Sequence, residues 1–265
     1  MTLFRASRFW ISMWIAAGIG IAFLALPVVS LLWRAVDYRD SLGEERTRGV
    51  LIDAIGLSIA TSATAMIVVV ALGTPIAWIL ARSQSRAARI ADALIDLPIL
   101  LPPAVAGIAL LTAFGRMGTL GGWLDSIGMQ IGFSSAAVIL AQIFVSAPFF
   151  IRSTRAGFLR IHQSLEETAS DLGAKPFTVF WRITLPLAKN SIVAGFVIAW
   201  ARALGEFGAT IMFAGNRRGV TQTMPLAIYE RYGSGDLPAA IVMSVVLLGI
   251  SMIFLIAVRL VGERE

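Results

Sequence analysis

The sequence contains no cysteine, one histidine and two lysines, and only 14% of its 265 residues are charged. Disulfides, thiol chemistry and cysteine-based metal sites are therefore excluded. The single histidine, His162, lies in a charged segment, and we interpret it as a solvated surface residue, not a metal ligand. Soluble globular domains carry about 25% charged residues. So low a charged fraction, together with 57% hydrophobic residues, predicts a protein that contacts lipid.

A phosphate-binding loop is also missing. No GxxxxGK[ST] pattern occurs, and the two lysines, Lys175 and Lys189, follow alanine instead of glycine. The chain itself therefore cannot be an ATPase. We expect that the chain is not an enzyme and carries no catalytic residue, metal or cofactor.

Long apolar runs make up most of the sequence. A helix that crosses the hydrocarbon core needs about 20 apolar residues, and in lipid its backbone amides must be satisfied within the segment. The runs are continuous and do not alternate as the strands of a membrane barrel would. We predict an all-α membrane protein with one domain over residues 1–265. Its six transmembrane helices are predicted at residues 9–33, 54–81, 97–115, 133–151, 190–213 and 237–258.

Basic residues are distributed unevenly between the two sides of this predicted bundle. With six spans both termini lie on one side, and the segments there hold thirteen Lys and Arg residues against eight in the opposite loops. By the positive-inside rule, both termini and the loop 157–189 are predicted to be cytoplasmic. The net charge of +6 is explained by basic residues on the cytoplasmic side, which face anionic lipid headgroups. We therefore expect membrane lipid as a partner and no nucleic acid.

The loop 157–189, between the fourth and fifth predicted spans, is too polar to cross a bilayer. Ser164 and Glu167 have the spacing of a capping box, in which each side chain would bind the backbone amide of the other residue. Gly173 is a natural helix end, and Pro176 can begin a second short helix. We therefore predict a cytoplasmic helix–turn–helix.

Short helices are marginal in water, so this one needs a surface on which to rest. The lipid interface and a docked protein both remain open on these grounds. The small residues Ala169 and Gly173 favour docking, because they allow close approach of another protein.

The fifth predicted span contains two charged residues. Arg202, Glu206 and Thr210 recur at intervals of four and would form one polar stripe on a continuous helix. Charges at this depth are costly and usually face a bundle interior or an aqueous path. The pair either lines the translocation path or holds the bundle together. An Arg four residues before a Glu is the less favourable order for an ion pair within one helix. Pairing within the helix and pairing across helices therefore both remain open.

The third predicted span begins with DLPILLPPAVAG. Pro102 and Pro103 remove amide donors and bend helices, so we predict a distorted half-span. Broken helices in transporters often flank the substrate path. An ordinary kinked start to a span is the alternative.

The cytoplasmic loop resembles the signature loop of ABC importer permeases. Glu167-Thr168-Ala169, Gly173 and Ile183-Thr184-Leu185-Pro186 keep the spacing of that signature, with Thr168 in place of its middle alanine. The resemblance implies that residues 164–173 form a coupling helix docking on a separate ATP-binding cassette subunit, which would bind ATP and Mg. The predicted coupling residues are Ser164, Glu166, Glu167, Thr168, Ala169, Gly173, Ala174, Ile183, Leu185 and Pro186.

Other segments resemble molybdate-type permeases. They are ARALGEFGATIMFAGN (201–216), TQTMPLAIY (221–229), LPPAVAG (101–107) and LTAFGRMG (111–118). The resemblance implies import of molybdate or tungstate across a prokaryotic inner membrane by alternating access. The implied partners are a second copy of the chain, two ATP-binding cassette subunits and an extracytoplasmic oxyanion-binding protein.

Two alternatives to this function remain. Sulfate and thiosulfate permeases share the Arg-Ala-Leu-Gly-Glu run. A self-sufficient ion-coupled transporter or channel, with Arg202 and Glu206 as its relay, is the alternative from another class.

Overall fold

The structure is a computed structural model that describes residues 2–262, with side chains described from 9 to 258 except at 42. These residues form helices and contain no strand. The helices are α1 (Thr2–Asp37), α2 (Glu45–Arg82), α3 (Arg86–Leu100), α4 (Pro103–Phe114), α5 (Gly121–Ser126), α6 (Ser135–Leu159), α7 (Gln163–Asp171), α8 (Pro176–Val179), α9 (Leu185–Leu204), α10 (Gly208–Ala214), α11 (Met224–Gly233) and α12 (Leu237–Gly262). A 3₁₀ turn at Arg39–Gly43 and a π-helical turn at Phe180–Thr184 complete the regular structure.

Five segments are each long and apolar enough to cross a membrane: Phe9–Asp37, Glu45–Arg82, Ser135–Leu159, Pro176–Leu204 and Leu237–Val258. The third predicted span is present as the pair α3 and α4, which is bent by 118° at its break. The break lies at the prolines, as predicted, because Pro102 caps α4 and Pro103 occupies its first turn. The structure thus confirms an all-α membrane protein.

Contacts between α2 and α6 show that the chain between them returns along the bundle. Gly73 lies against Phe150, and Arg82 at the end of α2 donates to the carbonyl of Phe158 near the end of α6. The two helices therefore run in the same direction. The chain between them has to return to the other end of the bundle before α6 begins, and with the bent pair counted as one span the structure has six candidate spans.

The core is built around α6, which packs against α2, α9 and α10. Phe150 and Phe158 of α6 are fully buried. Gly157 and Gly195 let α6 and α9 approach closely, since a Cβ at Gly157 would lie 2.4 Å from the Cβ of Ser191. Large apolar side chains on the outer faces are exposed, as expected where lipid replaces water. Helix α1 lies at the periphery and packs mainly against α12.

Candidate functional site

Helix α7 is the observed form of the predicted coupling helix, but it does not begin with a capping box. The helix begins at Gln163 with extended His162 as its cap, and its first turn shows no side-chain capping bond among the described residues. Ser164 therefore lies inside the first turn, where its carbonyl accepts a hydrogen bond from Oγ1 of Thr168 at 2.7 Å. The predicted pairing of Ser164 with Glu167 is wrong, because the helix begins one residue before Ser164.

The end of α7 forms as the sequence predicts. Gly173 has φ +88°, a conformation that costs a residue with a Cβ additional strain. Its amide donates to the carbonyl of Ser170 at 2.9 Å, and the amide of Ala174 donates to that of Ala169 at 3.0 Å. These two bonds define a Schellman motif, which satisfies carbonyls that the helix end would leave free.

Glu166 fastens α7 to the membrane helices. Its carboxylate accepts hydrogen bonds from Nε of Arg82 at 3.1 Å and from Nη2 of Arg82 at 2.7 Å. It also accepts one from Oγ1 of Thr184 at 2.7 Å. The two side chains of this ion pair are only 15% and 17% exposed. Burial raises the pKa of Glu166, but the bonds from Arg82 and Thr184 outweigh burial and hold the pKa below its ordinary value.

Glu166 thus faces its own chain, whereas other predicted coupling residues, and several apolar residues beside them, lie on the open side of the loop. Leu172 is 85% exposed, and Leu165, Phe177 and Trp181 are also large exposed apolar side chains. No residue of α7 is itself buried. Of the predicted coupling residues, the exposed ones are Ser164, Glu167, Thr168, Gly173 and Pro186, and the half-buried ones are Glu166, Ala169, Ala174, Ile183 and Leu185.

The second helix of the loop is continuous with the fifth span. It begins at Pro176 as predicted, but Pro186 does not separate it from the span, and the segment Pro176–Leu204 is helical throughout. Pro186 lacks the N–H that an α-helix would direct to the carbonyl of Arg182. The wider π-helical turn at Phe180–Thr184 precedes it and accommodates its ring.

The predicted polar stripe on the fifth span is wrong, because the helix is interrupted. Helix α9 ends at Leu204, and α10 begins at Gly208. The carboxylate of Glu206 accepts a hydrogen bond from the amide of Ala209 at 2.8 Å and so caps α10. This local bond competes with continuation of the helix through the break.

Arg202 and Glu206 pair with each other. Nη1 of Arg202 lies 2.6 Å from Oε2 of Glu206. The Glu206 side chain has no exposed surface, whereas that of Arg202 is 30% exposed. The unfavourable order of charges along a helix does not apply, since the helix ends between the two residues.

The two broken spans meet beside this pair. A Cβ at Gly208 would lie 2.4 Å from the Cβ of Pro103, and a Cβ at Gly107 would lie 2.6 Å from the carbonyl oxygen of Ala209. Thr210 is fully buried, and its hydroxyl finds no hydrogen-bond partner within the described chain. The structure therefore brings Pro103, Glu206 and Thr210 into one region, although Pro103, like Pro102, is exposed at the break.

Sequence reasoning missed the ion pairs that join α3 to α6. Arg155 contacts Asp92 at 2.7 Å, and Arg152 donates to both carboxylate oxygens of Asp96. In the sequence these four residues are only charges in or near predicted loops on the same side of the membrane. The spacing of Asp92 and Asp96 by four residues was the one available signal, because it places both carboxylates on one helix face.

Comparisons with known proteins all identify membrane components of transport systems. A family model for the binding-protein-dependent transport system inner membrane component matches residues 73–265. The chain is 45% identical over 240 residues to the molybdenum transport system permease protein ModB of Mycobacterium tuberculosis, covering 90% of this chain and 89% of that protein. It is 34% identical over 248 residues to the sulfate transport system permease protein CysT of Synechocystis, covering 92% and 85%.

Solved structures share the fold. A bacterial ABC transporter involved in the import of the acidic polysaccharide alginate superposes with a TM-score of 0.77 at 17% identity, covering 100% of this chain and 99% of that chain. The MetNI methionine ABC transporter superposes with a TM-score of 0.62 at 20% identity, covering 83% and 96%. At such identities the likeness shows the architecture.

Proposed function

The chain belongs to the family of binding-protein-dependent transport system inner membrane components, and we propose that it is the permease subunit that carries molybdate or tungstate into the cytoplasm. As a member of this family it is a multi-pass membrane transport subunit of a bacterial ABC importer. The observation that carries the choice of substrate is the 45% identity to a molybdenum permease over 90% of the chain.

Helix α7 is the proposed contact with a separate ATP-binding cassette subunit, which binds ATP and Mg. Its free side offers exposed apolar residues such as Leu172 and Leu165. Its other side is fixed by Glu166 to the ends of two membrane helices, through Arg82 and Thr184. A helix that transmits force needs both features, because a loosely attached helix would absorb the motion of its partner.

The proposed assembly contains two copies of this chain, two ATP-binding cassette subunits and an extracytoplasmic oxyanion-binding protein, with both termini in the cytoplasm. A transporter of the same architecture has been solved with its periplasmic protein bound, which supports a partner of this kind. In this proposal ATP-driven closure of the cassette subunits opens the pathway outward, and hydrolysis resets it inward.

Arg202 and Glu206 are proposed to border the pathway at the break in the fifth span. Glu206 balances the charge of Arg202, so a passing anion meets guanidinium N–H donors without an excess of positive charge. A pathway conducts an ion only if it attracts the ion weakly enough for the ion to leave again. Glu206 also stabilises the break in the helix, because its carboxylate accepts a hydrogen bond from the amide of Ala209.

Uptake by the reconstituted complex tests the function. We expect ATP-dependent accumulation of molybdate that tungstate inhibits strongly and sulfate inhibits weakly. Preferential uptake of sulfate would favour the second candidate, which the 34% identity to a sulfate permease supports. Robust uptake by this chain alone, without ATP, would refute the importer and favour an ion-coupled transporter.

A further inference from the structure

A cavity of about 420 Å³ lies at the end of the bundle opposite α7. Residues that precede α6 line it, together with the ends of α4 and α5 and the segment after α10. Because α7 follows the other end of α6, which has 25 residues, the cavity is about 37 Å away from α7 along that helix. In the proposed topology the cavity therefore opens to the outside.

Two arginines give this cavity a positive charge. Arg116 and Arg217 both line it and are exposed, and neither side chain forms an ion pair or hydrogen bond with any described residue between 9 and 258. The one acid in the lining, Asp125, accepts a hydrogen bond from Nε2 of Gln130 at 3.2 Å. The neighbouring Arg218 differs, since its Nε donates to Asp53 at 2.9 Å.

The backbone around the cavity is held in place. The carbonyl of Arg217 accepts the amides of Val220, Thr221 and Gln222, and the amide of Arg217 donates to Oγ1 of Thr221 at 2.8 Å. On the opposite wall Phe133 has φ +59°, an uncommon conformation for a residue with a Cβ. Strained backbone of this kind clusters at functional sites.

The cavity is continuous with the broken spans. Phe114, the last residue of α4, lines it, and the amide of Phe133 donates to the carbonyl of Phe213 in α10 at 3.2 Å. Helix α10 has seven residues and is thus about 10 Å long. An anion in the cavity would therefore lie about one short helix away from Glu206, with Thr210 on the helix between them.

We infer that this cavity is an outer binding site for the transported oxyanion, with Arg116 and Arg217 as its ligands; the inference rests on the proposed function. Guanidinium groups present planar N–H donors that match an oxyanion, and the two positive charges outweigh the one negative charge of Asp125 in the lining. The volume is many times the ~30 Å³ that one water occupies, so an anion fits together with part of its hydration shell.

Equilibrium binding of tungstate to the assembled permease and cassette complex, without the binding protein, tests this site. We expect Arg116→Gln and Arg217→Gln each to weaken binding about ten-fold, which equals ~1.4 kcal/mol, and the double variant to weaken it about 100-fold. The matched control is Arg46→Gln. Arg46 is exposed at the same end of the bundle, in the first turn of α2, and does not line the cavity. It should leave binding unchanged.

Two results would overturn the site. One is a double variant that binds tungstate as tightly as the unchanged complex. The other is loss of affinity for the binding protein with tungstate binding intact, because the arginines would then recognise that protein. ATP-driven molybdate uptake by the unchanged complex, measured in parallel, separates this inference from the function: if uptake persists, only the outer site is refuted.

Discussion

Replacing Glu166 by Gln tests whether α7 is rigidly attached to the membrane helices. The carboxylate accepts three hydrogen bonds, two from Arg82 and one from Thr184, and the ion pair is largely shielded from solvent. A hydrogen bond to a charged group contributes ~1.5–3 kcal/mol when it is shielded. Gln keeps the size and one acceptor oxygen but loses the charge. We therefore expect the attachment to weaken by about 2 kcal/mol, which is about 30-fold in the local opening equilibrium.

Hydrogen exchange of the α7 amides measures this opening directly. The amides of Leu172 and Ala174 should exchange about 30-fold faster in Glu166→Gln, whereas the membrane helices stay protected. Asp171→Asn is the matched control, since Asp171 is exposed on the same helix and its side chain forms no hydrogen bond or ion pair with a described residue. Exchange that is equally fast in both variants would refute the anchoring role. In the assembled complex the same variant should hydrolyse ATP with reduced transport per ATP.

The pKa of Glu166 adds a dependence on pH. The folded-state pKa lies below the ordinary value of 4.5, so the ionised carboxylate stabilises the attachment at neutral pH. Stability from a lowered pKa is present above the ordinary value and is lost as pH falls through the folded value. Exchange of the α7 amides, corrected for intrinsic rates, should be constant from neutral pH down to about pH 5 and increase below the ordinary pKa. In Glu166→Gln this increase should be absent.

Three further substitutions test other parts of the structure. Gly173→Val should cost about 1–2 kcal/mol at the end of α7 and reduce co-purification of the cassette subunit, whereas Gly173→Asn should cost less because Asn tolerates positive φ. Gly107→Ala places a Cβ against the backbone of α10 and should lower the thermal unfolding temperature by the equivalent of about 1–3 kcal/mol, whereas Gly56→Ala, with open space around it, should not. Equal unfolding temperatures would contradict this close contact. Glu206→Gln leaves Arg202 without its counter-charge and should destabilise the protein by about 3 kcal/mol, which Arg202→Gln in the same chain should largely restore. A double variant no more stable than the single one would count against the pairing.

The parts of the fold that depend on local sequence could be predicted. Apolar runs longer than a bilayer crossing identify most of the spans, and adjacent prolines identify the break before α4. Gly173 ends α7 because the requirement for positive φ is local. The capping box was mispredicted because two residues with suitable spacing do not determine where a helix begins: α7 begins one residue earlier, after His162.

The contacts that organise the site depend on residues far apart in the sequence. Arg82 and Glu166 are separated by 84 positions, and Arg155 and Asp92 by 63. No spacing rule links such pairs, and although Glu166 was a predicted coupling residue, nothing in the sequence identified its partner. The break in the fifth span was missed for another reason. Its apolar pattern continues across Gly205, and only the carboxylate of Glu206, bound to the amide of Ala209, shows why α10 begins as a new helix.

Helix α9 connects the two parts of the site. Its N-terminal cap is Thr184, which donates to Glu166, and it ends at the break that Glu206 stabilises. Twenty helical residues span about 30 Å, so one continuous rod joins the coupling loop to the intramembrane ion pair. In the proposed assembly, a displacement of α7 toward a cassette subunit would therefore act on α9 through the Glu166 carboxylate. Because α9 packs against α6, we expect motion of α9 to be taken up at residues 205–207, where the helix is interrupted. The proposed coupling thus needs no chain of small adjustments through the core: it requires one anchored end, one rigid helix and one break.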